Sequence, residues 1–226
     1  MLAMVRQLLD VRACRVASVV IEVVDEGSAM DSMAVTVQTA PPPVDPHWDD
    51  IVDRLAVYDL HYLTGGSAWE GRLSPYRSPA DAPIDTLVLD LARASQGRLQ
   101  NALVALLFRH PERAPVAVAA AERLALDDRA RLVLQASVLA AAALRRMWRF
   151  VLDIYLPGQP ASDASELVRE LDVPSPEEDY GRPCLAAVAD LLRAGQPFPF
   201  AYERGWRDVA EHVLRELRIE ARRRGD

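Results

Sequence analysis

DDRARLVLQASVLAAAALRRMWRFVLDIYL, residues 127–156, lies within the longest stretch of the chain free of Pro and Gly, and Leu and Ala dominate it. Ala, Leu, Arg and Met are the residues that lose least on entering a helix, so the composition predicts one long helix. Asp127 and Asp128 stand where an N-cap and a first-turn acid complement the positive end of the helix dipole. Pro157 and Gly158 end it. One apolar stripe takes Leu132, Ala136, Leu139, Ala143, Met147, Phe150 and Ile154. A second takes Leu134, Val138, Ala142, Trp148, Val151 and Tyr155. Stripes on two sides of a helix predict neighbours over most of its surface. Residues 140–143, all Ala, offer a smooth patch where another element can come close. At ~1.5 Å per residue the rod is on the order of 45 Å long. Its uncharged part, residues 132–144, is shorter than the ~20 residues a bilayer demands. Arg145, Arg146, Arg149 and Asp153 follow, and charges at a bilayer centre are costly, so the expectation is a core helix and no membrane span.

Working outward, helical periodicity predicts further helices over 47–63, 84–94, 98–109, 111–126, 162–171, 184–194 and 202–222, joined mostly by short links. Trp206, Val209, Ala210, Val213, Leu214 and Leu217 form the inward face of the last one. The expected fold is all-α: a helical bundle of about six to eight helices around one long central helix. Residues 1–46 differ from this pattern. The β-branched run 15–24 (RVASVVIEVV) and the alternating run 34–39 (AVTVQT) can pair as a β-hairpin. Met30 and Met33 are alternative starts. Pro41-Pro42-Pro43-Val44-Asp45-Pro46 is a stiff, polyproline-like linker. The expected division is an N-terminal extension and linker over 1–46 and a helical domain over 47–226.

With 226 residues, half of them hydrophobic and 26% charged, the chain can bury a substantial core. Its net charge of -7 gives it no broad basic footprint for nucleic acid. All 26 basic residues are Arg, and Asn occurs once, at Asn101, which is the bias of a GC-rich, bacterial coding sequence. Cys14 and Cys184 make neither a disulfide framework nor a zinc set, and a reducing, cytoplasmic setting suits them. No metal and no cofactor is expected.

Several motifs carry candidate chemistry. Residues 66–73 have the spacing of a phosphate-binding loop, but Arg72 replaces its Lys, Leu73 replaces its Ser or Thr, and a helix rather than a strand precedes it. Gly65-Gly66-Ser67 is similar to the Gly-Ser of nucleotidyltransferases, yet Pro83 stands where the second metal-binding acid belongs after Asp81. A helix end and a turn account for these glycines. Arg207-Asp208-Val209-Ala210-Glu211-His212 resembles the Arg-x4-His signature of HEPN ribonucleases, which are helical bundles. That resemblance covers six residues. It implies His212 as general acid or base at a ribose 2′-hydroxyl and Arg207 as the group that steadies the phosphate, without metal.

Two clusters are candidate binding residues. Phe198, Phe200 and Trp206, with Tyr202, form either a partner groove or the pin that holds the last helix to the core. Arg145 and Arg149, with Arg146, share a side of the central helix and can clamp an anion or an acidic patch; pairing with acids of neighbouring helices is the plainer use. Apolar helix faces without a convergent catalytic cluster lead to the expected function: a non-enzymatic protein-protein interaction or regulatory module, its partner another protein or a second copy of itself. The alternative is a metal-independent HEPN-like ribonuclease, the one case in which nucleic acid becomes a partner.

Overall fold

The structure is a computed structural model that describes residues 48–61, 63, 76–159, 163–194 and 201–225. The chain divides between Val44 and Asp45, and every described residue belongs to the second unit. The expected β-hairpin, the Pro-rich linker, His47, the glycine motifs of residues 65–73, and Phe198 and Phe200 lie outside the described residues.

Among the described residues the protein is all-α, with nine α-helices and no strand. They are α1 (Trp48–Ala56), α2 (Ile84–Arg93), α3 (Gly97–Arg109), α4 (Ala114–Glu122), α5 (Arg129–Met147), α6 (Arg149–Tyr155), α7 (Ser165–Leu171), α8 (Arg182–Arg193) and α9 (Tyr202–Arg224). Single 3-10 turns occur at Pro111–Arg113 and Glu178–Gly181.

α5 packs against α2, α3, α4 and α8 and also touches α9. Leu134, Leu139, Ala140 and Leu144 on it are buried, and they meet a core built from Leu103, Leu106 and Leu107 of α3 and Leu185 and Val188 of α8. Asp128 caps the helix: its carboxylate accepts the backbone N–H of Ala130 at 2.8 Å. The alanine patch receives backbone, as its smoothness suggests. Gly181 has a φ of 77°, and a Cβ there would lie 2.5 Å from the Ala143 carbonyl oxygen. Only glycine meets both demands at once.

Arginines of α5 fasten its neighbours' ends. Arg129 donates to the Leu192 carbonyl near the end of α8. Arg131 donates to the carbonyls of Ala121, in the last turn of α4, and Leu124, just beyond it, at 3.3 Å each. Arg145 donates to the Phe108 carbonyl in the last turn of α3 at 2.6 Å. Carbonyls at a helix end lack intrahelical partners and carry partial negative charge, so a guanidinium there both caps and neutralises. Two of these arginines sit at α5's own N-terminus, the wrong end for its dipole. They fit because α4 and α8 run antiparallel to α5 and finish there. α3 runs parallel to α5 and finishes at Arg145.

The structure corrects four expectations. The rod of residues 127–156 is two helices: α5 stops at Met147, and Trp148 (φ -103°, ψ 15°) separates it from α6. After Met147 the sequence turns from Ala and Leu to aromatic and β-branched residues, which hold a helix less well. That break raises the eight predicted segments to nine. The stripe does not continue inward, since Phe150 is 78% and Ile154 72% exposed. α1 ends at Ala56, not residue 63, because the chain turns at Asp59 with a φ of 57°. Finally, the helix expected over 111–126 begins as a 3-10 turn and is regular only over Ala114–Glu122.

Candidate functional site

The end of α5, together with α6, α7 and the segment 175–177, encloses a groove of about 820 Å³. Its floor is apolar, from Ala142, Leu152 and Val168, and its rim is charged. Arg145, Arg146, Arg149 and Arg169 face Asp153, Asp163 and Glu177 around it. The groove thus gathers the predicted candidates Arg145 and Arg149. Helical spacing explains how: residues 145, 146, 149, 152 and 153 recur at intervals of three and four, which place them on one side across the break at Trp148.

The four arginines are not equivalent. Arg145 is committed to the α3 carbonyl described above, and burial lowers its pKa, an effect opposed by Glu112 and then Asp153. Arg146 pairs with Glu177 at 3.1 Å, and the Glu177 side chain is 70% exposed. Arg149 pairs with Asp153 one turn along at 3.9 Å, with both side chains more than half exposed. Ion pairs of this kind are worth ~0–1 kcal/mol and exchange readily with solvent or with another anion. Asp163 is occupied locally: the Ser165 backbone N–H donates to it at 3.0 Å, and that bond holds its carboxyl below the usual range.

Beside the groove one side of α6 is bare. Phe150 and Ile154, one turn apart, form an exposed apolar strip next to the Arg149–Asp153 edge. Across the groove, the segment carrying Glu177 runs into Asp179, Tyr180 and Gly181, whose φ values are 36°, 56° and 77°. Consecutive left-handed residues cost L-amino acids ~1–2 kcal/mol each. This turn delivers Gly181 to α5 and leaves the Tyr180 ring exposed.

The remaining candidates fall elsewhere. Arg207 is exposed on α9 and lines a shallower groove of about 430 Å³ with Arg193, Glu203, Arg204, Asp208 and Glu211. Its guanidinium lies 3.7 Å from Glu203. His212 does not line that groove; its ring is 3.8 Å from Glu216, and burial followed by Arg215 lowers its pKa. Five residues of α-helix turn through about 140°, so Arg207 and His212 project from different sides of α9. Trp206 is 2% exposed and packs against Tyr202 with ring centroids 5.5 Å apart. It pins α9 to the core and is no part of an open groove. Cys184 is free and buried, and burial pushes its thiol up to about 12, so it is protonated at neutral pH.

A separate charge cluster around the buried Arg109 joins α3 to α9. Arg109 donates to both carboxylate oxygens of Glu220 at 2.9 Å, and Asp59 stands 3.6 Å from it. Glu216 lies in the same cluster, its pKa raised to about 7 by burial, with Arg109 and the His61 backbone N–H working against that rise. Among the described residues no group of three or more His, Cys, Asp or Glu is placed to hold a metal ion. No described helix is long and apolar enough to cross a membrane.

Comparison with known protein families, with curated proteins and with solved structures finds no match for this chain. The groove must therefore be read from its own chemistry. Sequence spacing locates Arg145, Arg146 and Arg149 but not Arg169, and it misses two further features. Asp153 and Glu177 hold Arg149 and Arg146 only loosely, and the apolar face of α6 points outward. The one signal in the sequence is the change from Ala-rich to aromatic composition at Trp148.

Proposed function

We propose that this protein is a non-enzymatic interaction module whose docking surface is the α6 face and the arginine-lined groove beside it. The observation that supports this most is the pair Phe150 and Ile154, exposed in register on a helix that continues a buried one. Apolar residues one turn apart at a groove rim are the anchors by which a helix face is recognised. A cytoplasmic location, argued from two cysteines without a framework, belongs to this proposal, as does the choice between another protein and a second copy as partner.

The test is photocrosslinking in the source cell. A photoreactive amino acid in place of Phe150 or Ile154 is expected to give a discrete protein adduct, at twice the chain mass if the partner is a second copy. The same residue in place of Glu122, on the far end of α4, is expected to give none. Absence of adducts at both α6 positions in a chain shown to be folded removes the reading. The ribonuclease alternative needs Arg207 and His212 exposed together in one cleft, and their separation around α9 counts against it. It is checked by comparing RNA cleavage by wild type and His212→Ala.

A further inference from the structure

We infer that the groove receives an acidic peptide segment of the partner, whose carboxylates take Arg146 from Glu177 and Arg149 from Asp153. This rests on the docking reading above and adds the chemical class of the occupant.

Charge complementarity carries the inference. On a chain of net charge -7, the lining of this groove carries an excess of positive charge, with Arg145, Arg146, Arg149 and Arg169 against Asp153, Asp163 and Glu177. Arg145 is spent on the Phe108 carbonyl. Arg146 and Arg149 instead hold carboxylates that are themselves largely in water, at 3.1 and 3.9 Å. Carboxylates are thus the groups that these two guanidiniums already face. Guanidinium forks match carboxylates, and Glu177 and Asp153 are internal occupants that a partner's Asp or Glu can replace at little net cost. Between the arginines the floor is apolar at Leu152 and Val168, and Phe150 and Ile154 flank it. An acidic segment interspersed with apolar side chains satisfies both features at once.

The same geometry disfavours a nucleic acid strand. A phosphate backbone brings one negative charge per nucleotide, and Asp153, Asp163 and Glu177 stand among the arginines and would repel it. A peptide carries fewer charges and can space them to avoid those acids.

The experiment uses the full chain at low ionic strength and fluorescence anisotropy. The probes are a labelled peptide of repeated Glu-Glu-Leu-Phe units, a labelled Gly-Ser peptide and a labelled single-stranded oligoribonucleotide. The acidic peptide is expected to bind and the Gly-Ser peptide to fail. Arg146→Glu with Arg149→Glu is expected to weaken binding tenfold or more, with an unchanged far-ultraviolet circular dichroism spectrum. Glu177→Gln, which removes the internal competitor, is expected to tighten binding about three- to fivefold. If the double variant does not retain its helical spectrum, Glu177→Gln alone decides. The inference is overturned if the acidic peptide does not bind, if Glu177→Gln leaves binding unchanged or weaker, or if the oligoribonucleotide binds more tightly than the peptide. Failure here together with crosslinks at positions 150 and 154 removes only the acidic occupant. Failure of both removes the docking surface itself.

Discussion

α5 and α6 come from one unbroken amphipathic stretch, yet one is enclosed and the other half bare. α5 meets α2, α3, α4 and α8, whereas α6, among the described residues, packs mainly against α9 and the end of α5. The apolar stripe is continuous in sequence through Leu139, Ala143, Met147, Phe150 and Ile154. It is buried through Ala143, half-buried at Met147 and exposed after that. The difference teaches that an apolar stripe states a need for a partner without saying that the partner is in the same chain. Where neighbouring helices run out, the same pattern becomes a surface.

The sharpest way to break this comparison is to truncate both halves of the stripe. Leu139→Ala removes a fully buried side chain from tight packing and should cost about 3 kcal/mol in the full chain. Ile154→Ala removes one that is 72% exposed and should stay within about 0.5 kcal/mol. Urea denaturation of both variants reads the difference directly. Similar losses would mean that α6 is covered in the isolated protein and that no docking face exists.

A somewhat smaller loss, about 2–3 kcal/mol, is expected for Gly181→Ala. The added methyl meets the Ala143 carbonyl oxygen at 2.5 Å, and the left-handed φ of 77° penalises any L side chain as well. The contact is with helix backbone, which cannot yield as the tip of a flexible side chain can. The turn that carries Tyr180 should loosen along with α8's seat on α5. Faster hydrogen exchange over residues 178–186 in this variant is the accompanying sign. Wild-type stability in Gly181→Ala would show that α5 and the turn do not approach this closely.

Much of the architecture was legible because it rests on local rules. Periodicity located every described α-helix, though it joined α5 and α6 into one; an aspartate cap was readable, one residue early at Asp127 rather than Asp128; and the alanines of residues 140–143 signalled a close approach. The end of α5 was not legible, because Trp148 keeps its backbone N–H bonded to the Leu144 carbonyl at 2.9 Å and breaks no hydrogen-bond rule. The capping roles of Arg129, Arg131 and Arg145 were hidden for another reason. Arginine is this chain's sole basic residue, so its presence at a given position says little. A trace remained in Arg129 and Arg131, which oppose their own helix dipole and so point to the ends of antiparallel neighbours. The groove's arginines could be placed on one side of a helix, but their partners Glu177 and Phe108 are 31 and 37 residues away, and no local pattern reports that.

The mildest effect separates charges that the fold encloses from those it leaves in water. Glu216 stands between Arg109, Asp59 and Glu220, with the His61 backbone N–H and the His212 ring beside it, and burial raises its pKa from 4.5 to about 7. A folded pKa above the unfolded one means that the folded protein holds a proton that the unfolded chain releases. The stability linked to this group is present below pH 4.5 and is lost as pH rises through 7. Gln mimics the protonated carboxyl, so Glu216→Gln should stabilise the protein at pH 8, and most of that gain should vanish at pH 5. The unscreened shift corresponds to about 3 kcal/mol, and partial solvent access reduces the expected gain to about 1 kcal/mol. Asp153→Asn, at the exposed edge of α6, removes an ion pair whose two side chains are both more than half exposed, so its effect on stability should stay within about 0.5 kcal/mol. Urea midpoints of the two variants at pH 5 and pH 8 give the comparison. An equal effect of Glu216→Gln at both values would mean that solvent reaches Glu216 as freely as it reaches α6, and the contrast between an enclosed side and an open one would lose its electrostatic half.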